Sequence, residues 1–243
     1  MTTPSSWCVR PADHRFHSQS TWLDSWHSFS FAGHHHPEWM GFGPLRVIND
    51  DVIAAGHGFG MHPHRDMEII TVMVEGQLNH RDSMGNSGVI RAGDVQRMTA
   101  GTGIVHSEIN AGSTPCRLLQ IWIEPSAQKL TPDYEQRSIA VASDWTPLIA
   151  DHPEAGQDTM RIARPVRLWR AQPAMDQQLS LPATPHSLGW IQVIQGSIAL
   201  TGHHTLSHTM QRGDGLGWPE GPERPESITG RSDDADVLLF SMN

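Results

Sequence analysis

The sequence predicts an all-β chain built from two similar domains, and three observations predict it. Short apolar runs alternate with turn signals, and glycine and proline are frequent, at 22 and 17 of 243 residues, so the punctuation is that of strands rather than helices. A helical period is weak almost everywhere. The strand-and-turn pattern also occurs twice at a long interval, which suggests two related β-domains rather than a solenoid.

Taken in order, the run "EIITVMVEGQL" (68–78) reads as a strand ending at a Glu-Gly turn. "SGVIRAGDVQRM" (87–98) holds two strand-like pieces separated by a turn at Ala92, Gly93 and Asp94. "CRLLQIWIEP" (116–125) is a further strand, stopped by Pro125. "TPDYEQRSIAVAS" is the least regular piece and reads as a loop or linker. Downstream, "WIQVIQGSIAL" and "QRGDGL" repeat the earlier pattern. Gly76 and Gly93 are 17 residues apart, as are Gly196 and Gly213, and the second pair follows the first at an offset of 120. The division is expected in the Pro- and Asp-containing stretch at 130–150, giving an N-terminal domain over 1–135 and a C-terminal domain over 136–243.

Length allows a substantial core for one large or two modest domains. The formal net charge of −9 argues against direct nucleic-acid binding, which wants clustered basic surface. Two cysteines, Cys8 and Cys116, are too few for a disulfide framework or a thiolate zinc site. No apolar run approaches a membrane span, and the N-terminal stretch carries no apolar core of a signal peptide, so a soluble cytoplasmic protein is expected.

The 16 histidines are the compositional oddity, and their positions decide which matter. In "GMHPHRDMEI" (60–69), His62 and His64 lie two apart and share one face of a strand. Beyond the Gly93 turn, "MTAGTGIVHSEIN" places His106 and Glu108 two apart in the same manner. Two such pairs form a mixed nitrogen and oxygen set suited to a first-row divalent metal, and four protein ligands would leave two octahedral positions open. One divalent transition metal is therefore expected, Fe(II) first, with Zn, Mn, Ni, Cu or Co as further candidates.

These residues resemble a known family. "GHGFGMHPHRDME" followed by Gly76 resembles the first cupin motif, and "GDVQRMTAGTGIVHSEIN" the second. More narrowly, "GFGPLRVINDD", "HPHRDMEIITVMVEGQLNHRDSMGN" and "GTGIVHSEIN" look like the pirin family, densely over residues 20–125 and in outline beyond. The resemblance implies two tandem cupin barrels of jelly-roll type forming a bicupin, with few short helices. It bears on one ambiguity. Ordinary cupins take their carboxylate ligand from the first motif, here Glu68, which lies an even number of residues from both histidines. Pirins take it from the second, here Glu108. The resemblance thus implies His62, His64, His106 and Glu108 as metal ligands, with Glu68 orienting a ligand from behind. Glu108, or Glu68 if free of the metal, would accept the substrate's proton.

At the offset of 120, the four positions correspond to Pro182, Thr184, Glu226 and Ile228, so the C-terminal domain is expected to be metal-free. The family resemblance implies a quercetin 2,3-dioxygenase type of oxidoreductase, opening a flavonol ring with O2. Its alternative is a metal-binding redox sensor or regulatory partner of a transcription factor or metabolic enzyme. The partners expected are a small aromatic flavonol-like substrate and O2, with no nucleic acid and no membrane, and a monomer. Other features read blandly. His34–His36 precede Pro37 in a surface turn, Asp50 and Asp51 mark a hairpin turn, and His203, His204 and His208 are surface residues. Trp22, Trp26, Phe29 and Phe31 pack onto the barrel, and Cys116 is buried and inert.

Overall fold

A computed structural model describes residues 7–151, 159–202, 207–221 and 224–243. Among them are 22 strands and two single-turn 3-10 helices, at Ala12–His14 and Pro37–Trp39. The strands are β1 (Cys8–Arg10), β2 (Phe16–Gln19), β3 (Leu23–His27), β4 (Leu45–Ile53), β5 (Gly58–His64), β6 (Glu68–Glu75), β7 (Gln77–Asp82) and β8 (Ser87–Arg91). They continue with β9 (Asp94–Thr99), β10 (Ile104–Ile109), β11 (Cys116–Ile123), β12 (Asp133–Ser138), β13 (Thr146–Ala150), β14 (Met160–Arg161) and β15 (Val166–Ala171). The last are β16 (Gln178–Ser180), β17 (Leu188–Gln195), β18 (Ser197–Thr201), β19 (Ser207–Gln211), β20 (Gly215–Trp218), β21 (Ser227–Gly230) and β22 (Asp236–Met242). The all-β, two-domain expectation holds.

The chain divides into two compact units. One holds Arg15–Ile139 with Ile162–Arg164; the other holds the described residues up to His14, those from Ala140 to Arg161, and those from Pro165 onward. The N-terminal strand β1 therefore belongs with the later unit, where it pairs with β20.

In the first unit a seven-stranded sheet runs β12-β9-β6-β11-β4-β3-β2, and a four-stranded sheet runs β5-β10-β7-β8. The piece "TPDYEQRSIAVAS", expected as loop or linker, contributes β12, which pairs with β9 from Asp133↔Thr99 to Ser138↔Asp94. Its Tyr and Gln side chains pack and bond against the barrel, a tertiary gain that a weak local pattern does not reveal. The expected turn at Asp50 and Asp51 is likewise absent. Both lie within the nine-residue strand β4, which is paired on both edges by β3 and β11. Asp50 turns outward to Arg117, which donates Nε and Nη2 at 2.8 and 3.0 Å, so its charge is paired rather than solvated at a loop.

The second unit repeats this plan. Its sheets run β1-β20-β17-β22-β15-β13-β14 and β16-β21-β18-β19; the smaller sheet and the central strands β20-β17-β22-β15 keep the order of their equivalents, while at the edge β14 pairs in parallel with β13. The interiors differ in chemistry at one level. In the first unit register partners run Gln96↔Thr71↔Gln120↔Asn49↔His27 across five strands, a buried row of polar side chains. One apolar cluster lies to one side of the row, around Ile69, Met98 and Ile104, and another to the other side, around Ile53, Met73 and Leu118. In the second unit the equivalent row is Leu216↔Ile191↔Leu239↔Trp169, and it is part of a single apolar core. The fold can thus be filled with hydrocarbon at this level, and the first barrel is not.

The β6–β7 turn shows how the hairpins are held. Gly76 sits at φ +73°, and a Cβ there would lie 2.9 Å from the Cβ of Cys116. Its counterpart Gly196 sits at φ +63°. Gly76→Ala should combine left-handed strain of about 1–2 kcal/mol with a contact tighter than van der Waals. The expected outcome is a lower denaturant midpoint with an unchanged m value.

Candidate metal centre

Two strands build the centre. β5 is an edge strand, so Pro63 takes its place between His62 and His64 without depriving a neighbouring strand of a ladder bond. His62 is the register partner of His106 on β10, while Glu108 pairs with Phe59, so β5 carries one extra residue between them. This bulge bends β5 beside the site. Glycine is required just before it: a Cβ at Gly58 would fall 2.2 Å from the Glu108 carbonyl oxygen.

The result is a group of three imidazoles, His62, His64 and His106, whose donor atoms all lie within 4.8 Å of one another. Ring centroids are separated by 4.4 Å for His62 and His106 and by 4.8 Å for each of the other two pairs. His62 Nδ1 lies 2.8 Å from the Gly60 carbonyl oxygen. A proton on Nδ1 donated there leaves the Nε2 lone pair free for a ligand. His106 is 1% exposed, and neither of its ring nitrogens has a hydrogen-bond partner among the described residues. Burial, with His62 and His80 adding, lowers the His106 pKa to about 3. Burial, then His106 and His62, lowers that of His64 to about 4. Both are neutral imidazoles at neutral pH, the form that binds metal. The orphaned, buried nitrogens of His106, within 4.8 Å of the donor atoms of His62 and His64, fit a divalent transition ion.

Glu108 is buried beside this group and does not fall within it. Its carboxylate accepts two contacts from Gln120 Nε2, at 3.2 and 3.0 Å. Glu68 is placed elsewhere. It is fully buried, accepts from Thr99 Oγ1 at 2.7 Å and from the Ala163 amide at 3.4 Å, and burial raises its pKa. The even spacing from the histidines does not carry over, because the chain turns a corner between β5 and β6 with Asp66 at φ +49°. Ile69, one residue on, packs in the apolar cluster with Trp122, so Glu68 points the other way.

Several residues at the centre escaped the sequence reading. His80 is buried, with its ring 5.3 Å from His106, stacked 4.7 Å from Tyr134, and its Nε2 3.3 Å from Asp82 Oδ2. Its signal was the same two-residue spacing, "HRD" on β7. Gln120 carries no such signal within an apolar run. Trp122 stands edge-on to His64 at 5.0 Å, and Phe31, expected only to pack, stands edge-on to Trp122 at 5.4 Å. Phe59 lies 6.2 Å from His62. Cys116 is buried, and its thiol is pushed up to about 11, chiefly by burial, as an inert cysteine should be.

Among the described residues, the later unit has no such group of metal-ligating side chains. Ile228 occupies the register position of Glu108, and Leu200 that of His80, both in the apolar core. Of the remaining histidines, His203 and His204 lie outside the described residues, and His208 is half-buried on β19.

Comparison with known proteins agrees with this architecture. The profile of the family described as Pirin matches residues 9–123, and that of the quercetinase C-terminal cupin domain matches residues 148–242. A quercetin 2,3-dioxygenase of Escherichia coli strain K12 is 42% identical over 237 residues, covering 96% of this chain and 97% of that protein. The crystal structure of bacterial pirin YhhW from Escherichia coli in complex with nickel(II) is similar at a TM-score of 0.88 and 41% identity, covering 97% of this chain and 98% of that one. A quercetin 2,3-dioxygenase from Acinetobacter baumannii, 19% identical with a TM-score of 0.72 over 95% of this chain and 80% of that one, shares the fold. Among the described residues no helix is long and apolar enough to cross a membrane. With both barrels matched and relatives aligned along nearly their whole length, the chain belongs to the pirin family, as a bicupin.

Proposed function

We propose that this protein is a metal-dependent dioxygenase of the quercetin 2,3-dioxygenase type, with Fe(II) as the working ion. The observation that carries the reading is the group of three imidazoles inside the first barrel, with the Glu108 carboxylate held beside it on Gln120. His62, His64 and His106 would hold the ion, and Glu108 would join them as the carboxylate ligand. The bound ion would supply Lewis acidity toward a flavonol hydroxyl and a redox centre for O2.

The chain's own groups do the rest. Glu108 is the base for the flavonol 3-hydroxyl proton, and Gln120 fixes the carboxylate by donating to it. Phe31, Phe59 and Trp122 stand around the histidines as aromatic walls suited to a flat ring system. His62 and His64 are less buried than His106, which puts the approach from solvent on the β5 side. Ring opening with O2 releases carbon monoxide.

The test is dioxygen uptake with quercetin by Fe(II)-loaded protein, with His106→Ala as control. Uptake with carbon monoxide release that disappears in the variant supports the reading. No uptake from protein shown to hold iron overturns it and points to a sensing or regulatory role. Gln120→Leu should lower turnover by about 10- to 100-fold, the usual cost of removing a group that orients a ligand. Unchanged turnover would remove Gln120 from the site.

Acid should also find the histidines. His64 and His106 titrate near 4 and 3 in the folded metal-free protein, against about 6.5 unfolded. At these two positions the unfolded chain binds more protons below about pH 6.5, so they take stability away as pH drops towards about 4, while Asp51, raised to about 7 by burial, acts in the opposite direction over the same window. In denaturation series on metal-free protein, the stability of the native form relative to His106→Ala should therefore fall as pH drops from about 6.5 towards about 4.

A further inference from the structure

Two features stood without a role in the sequence, the histidine run at 34–36 and the acidic pair at 50–51, and one residue of each lies on a single hydrogen-bonded path. Half-buried His34 stacks on Phe16 with ring centroids 5.5 Å apart, and its Nε2 lies 3.0 Å from Ser18 Oγ. Ser18 Oγ lies 2.9 Å from His27 Nε2. On the far side of that ring, Nδ1 lies 2.8 Å from Asn49 Oδ1 and 3.3 Å from Ser25 Oγ. Ser25 Oγ in turn donates to Asp51 Oδ1. His27, Ser25 and Asp51 are each 2% exposed. The path runs from the half-buried edge of β2 to the barrel interior.

We propose that His34, Ser18, His27, Ser25 and Asp51 form a proton relay between solvent and the interior of the first barrel. Its use in turnover rests on the dioxygenase reading above; the relay itself does not.

The bond polarities suit it. Asn49 Oδ1 is an acceptor, so His27 carries its proton on Nδ1 and presents a lone pair on Nε2 to Ser18. For inward transfer, a proton taken from water by His34 passes to Ser18 as Ser18 gives its own to His27 Nε2. His27 then releases the Nδ1 proton to Ser25 Oγ, and Ser25 releases its hydroxyl proton to Asp51 Oδ1. One proton moves from water to Asp51, leaving His27 with its proton on Nε2 instead of Nδ1 and His34 likewise in its other tautomer; the reverse sequence carries one proton out and restores both.

Two further observations support the assignment. Burial raises the Asp51 carboxyl to about 7 against the Ser25 hydrogen bond, with the Asp50 and Glu108 charges adding, so it exchanges protons near neutrality. In the second barrel, register puts Ala171 at the position of Asp51 and Trp169 at that of Asn49, within the apolar core. Where the histidine group is missing, the relay is missing too.

The experiment follows the infrared C=O stretch of protonated Asp51 in the full-length protein at about pH 6, below its value of about 7. The band is assigned by its loss in Asp51→Asn. On mixing into D2O, its shift should be fast in the native protein and in Ser18→Thr, and lose its fast phase in Ser18→Ala. Equal exchange in Ser18→Ala, or no band lost in Asp51→Asn, overturns the relay. With quercetin, Ser18→Ala should lower kcat by about 10²-fold at unchanged KM, with recovery in Ser18→Thr. Slowed exchange with unaltered kcat overturns its use in turnover. Slowed exchange in a protein whose native form does not turn quercetin over supports the relay and overturns the flavonol reading instead.

Discussion

A polar side chain inside a β-barrel must find a partner there, and this constraint organises the first unit. The row from Gln96 to His27 spans five strands at one level of the interior, where the companion barrel places leucine, isoleucine and tryptophan. Leaving such groups unsatisfied costs about 1–3 kcal/mol each. Gln96 and Thr71 nonetheless keep buried side-chain atoms without partners among the described residues. The second barrel shows that the fold does not need them. Their presence makes sense as an environment: a lining that solvates the Glu108 and Asp51 carboxyls and leaves the imidazole edges uncommitted. Glu108 bonds to Gln120, and Asp51 to Ser25, so two acidic groups sit in a dry interior on donors supplied by neighbouring strands.

Much of this was legible in the sequence, for reasons that can be named. Strands bounded by Gly76, Gly93, Gly196 and Gly213 were readable because left-handed turns demand glycine, and the offset of 120 between them reappears as matching order of the central strands in the two units. The three imidazoles were readable because a strand's two-residue period puts His62 with His64 on one face. The same period failed for Glu68, since parity counts only within an unbroken strand and Asp66 interrupts this one. Residue type misled at Asp50 and Asp51, where an acidic pair resembled a turn because its partners, Arg117 and Ser25, are distant in sequence. Gln120 was hidden by its apolar neighbours. Burial of a polar residue is visible only once the opposing strand is in place.

The two barrels also illustrate how one framework accommodates opposite interiors. Strand order and turn glycines are shared, so these carry the fold. The residues facing inward at Thr71 and Ile191, Gln120 and Leu239, or Glu108 and Ile228 are exchanged as a set, so these carry the chemistry. A single exchange would strand an unpartnered group; a coordinated one leaves a packed core.

The pairing of β1 with β20 has a consequence for how the chain is made. Cys8 meets Gly217, so the strand that leaves the ribosome before all others described waits for one of the last. The whole first barrel is synthesised and can close while β1 trails unpaired. The second barrel completes its seven-stranded sheet only once β20 has emerged, through the longest loop closure among the described strand pairings. Until then the free edge of β20 is a template for any passing strand. A truncation before Arg10, far in sequence from the second barrel, would therefore express itself as aggregation of that barrel.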